Sequence, residues 1–359
     1  MTVAADSVAA VQEAVREGGR VLPVGGGSKS ALSTPPAGAA ALDVSGLRGI
    51  VDYDPAELTF TALAGTPVAE VGAALAEHGQ HLPFDPPLAA AGATLGGVVA
   101  AGASGANAYR HGGVRDFVVG VRIVEGTGTL VRGGGTVVKN AAGFDLSKLM
   151  VGSMGRLGVI VEVSCKVFPA PRATATLVAD TGSIEAALAV IAALGRGPLE
   201  LEALDLEPPG RLLVRLGGDA EGLPARADRL TTALGVPAER LEGEADAAVW
   251  RDAAELAWVG VGGRIVRVAL TARGVGALQA ALAPIGARVR YSRGANVAWV
   301  AWPEDRPLAQ LDASLSSLGL AGMVLTGPAD RILLGMRGGG AFGARIRAAL
   351  DPHSRFPEA

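Results

Sequence analysis

The stretch DPPLAAAGATLGGVVAAGASGANAYRHGGVRD, residues 85–116, decides the fold. From Pro86 to Tyr109 it carries no charge, and it holds five glycines, Gly92, Gly96, Gly97, Gly102 and Gly105. Thr94, Ser104 and Asn107 are its polar side chains, and Tyr109 is its only ring. Ordered glycine costs backbone entropy, so a folded chain keeps clusters of it where a Cβ would clash or φ must be positive. Backbone packed closely against a bound cofactor is one such use. The run is long enough to mimic a membrane span of about 20 residues. Its glycines, prolines and polar side chains make that the poorer reading.

Upstream, residues 7–17 read as a helix with Val8, Val11 and Val15 on one face. The strand RVLPV then runs into Gly25-Gly26-Gly27-Ser28-Lys29-Ser30. Consecutive small residues let backbone N–H groups converge on an anion, so this loop is a candidate phosphate cradle. It is neither common nucleotide motif. A P-loop needs glycine directly before Lys-Ser, where Ser28 stands, and the Rossmann fingerprint needs glycine where Ser30 stands. A plain glycine-rich turn stays open for this loop taken alone. Short strands follow at 41–44, 49–53 and 58–64. Thr66 as N-cap and Pro67 at the first helical position then start a helix with Val68, Val71 and Leu75 on its apolar face.

Downstream, strands are expected at 117–125 and 129–132, with Gly133-Gly134-Gly135 as a hairpin turn of no chemical role. A short helix at 145–150 and a strand at 159–167 follow. Gly152, Gly155 and Gly158 are spaced to let a loop approach something closely. Composition shifts at FPAPR, residues 168–172, the expected domain boundary. Beyond it the order strand, helix, strand, strand, helix occurs twice, the pattern of a ferredoxin-like sheet covered by helices. A closing helix is expected at 341–350, before the tail DPHSRFPEA.

A chain of 359 residues exceeds what one ordinary core supports, so two domains are expected. Hydrophobic residues at 49% and charged residues at 19% exclude a largely disordered chain. A net charge of -3 and few aromatics argue against a nucleic-acid binder. Cys165 is the only cysteine, so no internal disulfide forms and a reducing compartment is expected. The N-terminus shows no basic region followed by an apolar core, so no secretory signal is expected.

Four pieces carry a resemblance: VLPVGGGSKSAL at 21–32, LAGTPVAEVGAALAEHGQHLPFDPP at 63–87, ATLGGVVAAGASGANAYRHGGVRDFVVGVR at 93–122, and VKNAAGFDLSKLMVGSMGRLGVIVEV at 138–163. Together they resemble the flavin-binding domain of the vanillyl-alcohol oxidase superfamily, the PCMH-type fold. Within it they are similar to the FAD-binding subunits of bacterial glycolate oxidases (glycolate dehydrogenases). The expected architecture is α+β. It has a PCMH-type FAD-binding domain of two subdomains over 1–170 and a ferredoxin-like α+β cap for substrate or partner over 171–340. A C-terminal helix and tail over 341–359 complete it.

The resemblance implies that Gly25, Gly26, Gly27, Ser28 and Lys29, with Thr94, Leu95, Gly96 and Gly97, take the FAD pyrophosphate through backbone amides and small hydroxyls. A diphosphate needs convergent donors more than bulky side chains, so the physical reading agrees. Ala101, Gly102, Ser104 and Gly105 are then expected along the flavin and ribityl chain, and Gly158 and Ile160 against the adenine. Asp145 is expected to anchor its helix. Relatives with covalent flavin place a histidine on the first glycine loop, which this chain lacks, so non-covalent FAD is expected. Family members usually end in Phe-Asn-Pro-Gly near the flavin. Here the tail reads Arg355-Phe356-Pro357-Glu358, which puts that contact in doubt.

Oxidising a 2-hydroxy acid by flavin needs a base for the hydroxyl proton and a cation for the carboxylate. Related D-2-hydroxy-acid dehydrogenases carry a histidine and acidic metal cluster in the second domain. The four histidines here are His78, His81, His111 and His353, none between 112 and 352. No metal site is therefore expected, and no catalytic residue is assigned. Arg110 and His111, which follow the second loop, are candidates to reach the flavin, with a surface or structural role the better reading of His111; Trp250 and Arg251 are candidates for a substrate or partner face that an amphipathic core helix explains as well. The leading expectation is an FAD-dependent oxidoreductase of glycolate catabolism: the FAD-binding subunit of a glycolate-oxidising complex, partnered by a catalytic flavoprotein subunit and an iron–sulfur subunit. The alternatives are a stand-alone FAD oxidoreductase of another alcohol or hydroxy acid, and a non-catalytic assembly subunit. The expected location is cytoplasmic, with attachment to the inner membrane through partners left open.

Overall fold

The computed structural model describes residues 2–135, 145–260 and 263–358; the family-like segment at 138–144 lies outside them. The chain divides into two units, one of Met1–Ser104, Gly113–Ala170 and Gly338–Ala359, the other of Gly105–Gly112 and Pro171–Arg337.

The first unit holds a parallel sheet in the order Thr2–Ala4, Ala39–Asp43, Arg20–Val24. Parallel strands need a crossover connection, and helix Val8–Glu17 joins the two outer strands. Ser7 caps that helix by accepting from Ala10 N at 3.2 Å. Val11 and Val15, one turn apart, are buried in a cluster with Val21, Leu42 and Phe356. The same unit holds an antiparallel sheet in the order Ile50–Asp54, Thr59–Leu63, Val159–Lys166, Val118–Val124, Leu130–Gly134. Asp145 caps helix Leu146–Met150 as expected, accepting from Lys148 N at 3.0 Å.

Two expectations change here. Helix Val68–Ala76 has Pro67, not Thr66, as its N-cap. Thr66 is fully buried and spends its hydroxyl between strands, donating to Leu63 O at 2.7 Å and accepting from Gly49 N at 2.9 Å. The glycines at 133 and 134 are strand residues paired with Val121 and Gly120, not a turn. A Cβ on Gly133 would collide with Leu146, and one on Gly134 with Val119 O, so these glycines let helix and strand pack on the ladder.

The glycine-rich segment from Leu95 to Phe117 forms short helices, Leu95–Ala101, Ala108–His111 and Val114–Phe117. Among the described residues no helix is long and apolar enough to cross a membrane. Gly105–Gly112 leaves the first unit and builds into the second. There Ala106 joins a buried cluster with Ala203, Leu213 and Trp250, and Tyr109 packs where a side chain on Gly294 would stand.

The second unit contains the expected repeat. Its first half runs Ala173–Asp180, helix Ile184–Leu194, Ala203–Glu207, Arg211–Gly218, helix Leu223–Leu234, Ala238–Glu242. In the sheet these four strands lie fourth, first, third, second. The strands Arg264–Ala269, Arg288–Ser292, Val297–Trp302 and Ala321–Thr326 repeat that order in mirror sequence, and Leu333–Gly335 extends the edge. Two ferredoxin-like halves thus make one nine-stranded antiparallel sheet. Helix Gly243–Ala254 ends before Leu256, which turns left-handed at φ 55°, and a 3-10 turn follows at Ala257–Val259.

Candidate cofactor site

Three loops of the first unit surround a cleft of about 650 Å³. The first leaves strand Arg20–Val24 and runs through Gly25, Gly26, Gly27, Ser28 and Lys29 into the short helix Ser30–Ser33. Gly27 has φ 68° and open space around it, so this position needs glycine for its backbone turn. Thr94 supplies the second wall. It caps helix Leu95–Ala101 by accepting from Gly97 N at 3.3 Å. The third wall, Met154 to Ile160, is hung on that same helix, with Met154 N donating to Ala100 O at 2.8 Å and Gly152 N to Val99 O at 3.0 Å.

Glycine lets these walls lock together. A Cβ on Gly25 would collide with Thr94 Oγ1, and one on Gly26 with Gly92 O. On Gly96 it would lie 2.7 Å from the Ala64 Cβ. Close approach was the correct physical reason for the glycines, but at these positions the immediate neighbour is another loop.

The inner surface suits a dinucleotide. Among the described residues no hydrogen bond is donated by the backbone N–H groups of Gly26, Gly27 or Ser28, so those donors face the cleft's contents or water. Lys29 is 4% exposed, with its ammonium 3.4 Å from Ser28 Oγ. It is the charged residue among the lining residues described, and none of them is acidic. Leu32, Val44, Ala64, Met154 and Ile160 add apolar wall. Convergent N–H groups and one cation fit a diphosphate, and flat apolar walls fit aromatic rings.

Of the residues singled out from sequence, Gly25, Gly26, Gly27, Ser28, Lys29, Thr94, Gly96, Gly97, Ala101, Gly158 and Ile160 line this cleft. Four others do not. Leu95 is fully buried, and its N–H goes to Thr66 O. Gly102 is the left-handed C-cap of its helix. Ser104 accepts from Val114 N at 2.9 Å, and Gly105 lies in the second unit, its carbonyl accepting from Arg293 Nε. Sequence reasoning missed Pro23, Leu32, Ser33, Val44, Ala64, Ala100, Met154 and Gly155. Only Gly155 had a visible signal, its spacing between Gly152 and Gly158.

The other candidates have structural partners. Arg110 pairs with Glu202 and, at 3.0 Å, with Glu200; His111 Nε2 is 3.3 Å from Glu202. Burial pushes the Glu202 carboxyl up, but the His111 hydrogen bond and the Arg110 and His111 charges outweigh it and hold it below the usual carboxylate range. Trp250 is buried, donating to Thr176 Oγ1 at 2.7 Å, whereas Arg251 is exposed and pairs with Glu244. Burial pushes the Cys165 thiol up to about 12, which leaves it inert. Among the described residues, no histidine or cysteine lines the cleft. The tail does not line it either: Phe356 is 1% exposed in the core beside Val11 and Val15.

Residues 2–134 match the family described as FAD binding domain. This part of the chain is thus similar to FAD binding domains. FAD bound in this cleft would supply reversible two-electron chemistry, and the lining residues would hold, orient and shield it. The chain is 46% identical over 194 residues to glycolate oxidase subunit GlcE of Escherichia coli K12, which covers 54% of this chain and 55% of that protein. It is 32% identical over 160 residues to the mitochondrial D-lactate dehydrogenase [cytochrome] 1 of Saccharomyces cerevisiae, covering 45% of this chain and 27% of that one. The matched region thus spans about half the length of the first relative and about a quarter of the second. Among solved structures, an alkyldihydroxyacetonephosphate synthase aligns with TM-score 0.72 at 17% identity, covering 99% of this chain and 76% of that one. At that identity the likeness establishes the fold alone, α+β.

Proposed function

We propose that the protein is the FAD-binding subunit of a glycolate-oxidising complex, holding FAD without a covalent bond and passing electrons between partner subunits. The similarity to the E. coli glycolate oxidase subunit carries this reading. The absence of histidine between residues 112 and 352 supports placing the hydroxy-acid chemistry on a partner, because it leaves the second unit without a His-based metal site near a substrate. The partners would be a catalytic flavoprotein and an iron–sulfur subunit. With one cysteine this chain cannot ligate such a cluster itself. Gly26, Gly27, Ser28 and Lys29 would hold the pyrophosphate; Gly158 and Ile160 would flank the adenine, and Ala101 the flavin side.

The similarity to a D-lactate dehydrogenase favours one second reading, a stand-alone FAD enzyme for a 2-hydroxy acid. Purifying the chain alone separates the two. Under anaerobic conditions, flavin that glycolate bleaches only after partner subunits are added supports the subunit reading. Flavin bleached by glycolate or D-lactate without partners overturns it.

A further inference from the structure

The second unit holds a cleft apart from the FAD site. Its two halves join along Ala203–Glu207 and Arg288–Ser292, where the ladder pairs Leu206 with Tyr291. Pro208 and Pro209 follow and have no N–H to extend the pairing. Beside this seam opens a cleft of about 760 Å³, lined by Glu207, Trp258, Gln279, Arg288 and Arg290 among others.

Two buried donors of this lining are unmet. Arg290, only 6% exposed, gives Nε to Asp205 and Nη1 to Glu207, each at 2.7 Å. Its buried Nη2 has no partner among the described residues, and neither has the buried Trp258 Nε1. Buried donors are rarely left unpaired, so each points to a missing acceptor. Arg288 lies over the Trp258 ring, 5.5 Å from its centroid. Among the described residues Arg290 is paired with Asp205 and Glu207, while the lining cation Arg288 has no carboxylate partner, which leaves room for one negative charge.

We propose that this seam cleft binds a small organic monocarboxylate, its oxygens accepting from Arg290 Nη2 and Trp258 Nε1 and its charge met by Arg288. A monoanion balances the cluster, whereas a phosphate dianion would overfill it. A planar carboxylate also matches the guanidinium and indole edges. The proposal does not depend on the glycolate reading.

Acetate is the probe, because it presents the carboxylate with nothing to oxidise. Full-length FAD-loaded protein is titrated with sodium acetate against sodium chloride of equal ionic strength, and binding is followed by saturation transfer to the acetate methyl. Saturable binding is expected, weakened about tenfold or more in Trp258→Phe and in Arg288→Gln, the loss of one charge-assisted contact. The flavin spectrum stays unchanged throughout. Non-saturable transfer in the wild type overturns the proposal, as does equal affinity in the variants. If Trp258→Phe does not fold, Arg288→Gln, an exposed position, decides the matter alone.

Discussion

The side chain of Thr94 fills the space that a Cβ on Gly25 would need. The first loop is therefore seated on the cap of helix Leu95–Ala101, and two walls of the candidate cofactor cleft share one contact. Gly25→Ala should displace Thr94 and disturb its bond to Gly97 N, with an overpacking cost of about 1–3 kcal/mol. FAD occupancy, read from the 450 to 280 nm absorbance ratio after gel filtration, is expected to fall before far-UV dichroism changes. Gly72→Ala is the control. Gly72 lies in a helix interior with nothing near its Cβ position, so alanine there should stabilise by about 0.5–1 kcal/mol and leave occupancy alone.

Lys29 is the charge provided by the cleft's described lining. Lys29→Met keeps much of the buried stem and removes the ammonium. A charge-assisted contact is worth about 1.5–3 kcal/mol, so FAD should bind roughly ten- to hundredfold more weakly. The dissociation constant, measured by ultrafiltration at low and high salt, should also vary less with salt in the variant. Wild-type affinity in Lys29→Met would remove Lys29 from the pyrophosphate site.

Much of the fold was legible because its signals are local. Ser7, Asp145 and Ser183 each accept from the backbone N–H three residues on, as N-cap residues do. Strand Ala238–Glu242 was invisible for an equally local reason. It is an edge strand reading AERLE, mostly exposed, and its charges erase the apolar alternation that marks a strand. The glycine clusters pointed to loops that line the cleft. They could not separate glycines that face the cleft from those serving a helix end, as Gly102 does. Val44, Ala64 and Leu32 escaped notice because an apolar cleft wall and a core position use the same residues.

Glu202 links pH to stability in the second unit. Its folded pKa is depressed, so its contribution is present above the unfolded value of about 4.3 and is lost as pH falls through the lower folded value. Urea unfolding at pH 7 and pH 3 should show a larger acid loss in the wild type than in Glu202→Gln. Glutamine keeps a hydrogen-bonding group beside Arg110 and His111 but has no charge to lose. An identical acid loss in both proteins would assign the acid sensitivity to other carboxylates.

Phe356 tests whether the tail is part of the first unit's core. Val21 N donates to Arg355 O at 2.8 Å, and Asp351 Oδ2 accepts from Phe356 N at 2.8 Å, so the peptide bond leading into the ring is held at both its C=O and its N–H. The ring is 1% exposed beside Val11, Val15 and Leu42. Cutting it to alanine leaves a cavity those neighbours cannot close, because they sit on a capped helix and a paired strand. A loss of about 3–5 kcal/mol is expected for Phe356→Ala. The parallel sheet that this core supports also carries the first loop of the candidate cofactor cleft at the end of strand Arg20–Val24. Flavin release on heating, followed by its fluorescence, should therefore occur at a lower temperature in the variant, even though Phe356 does not line the cleft. Unchanged release together with reduced global stability would mean that the FAD loops hold their shape without the tail's support.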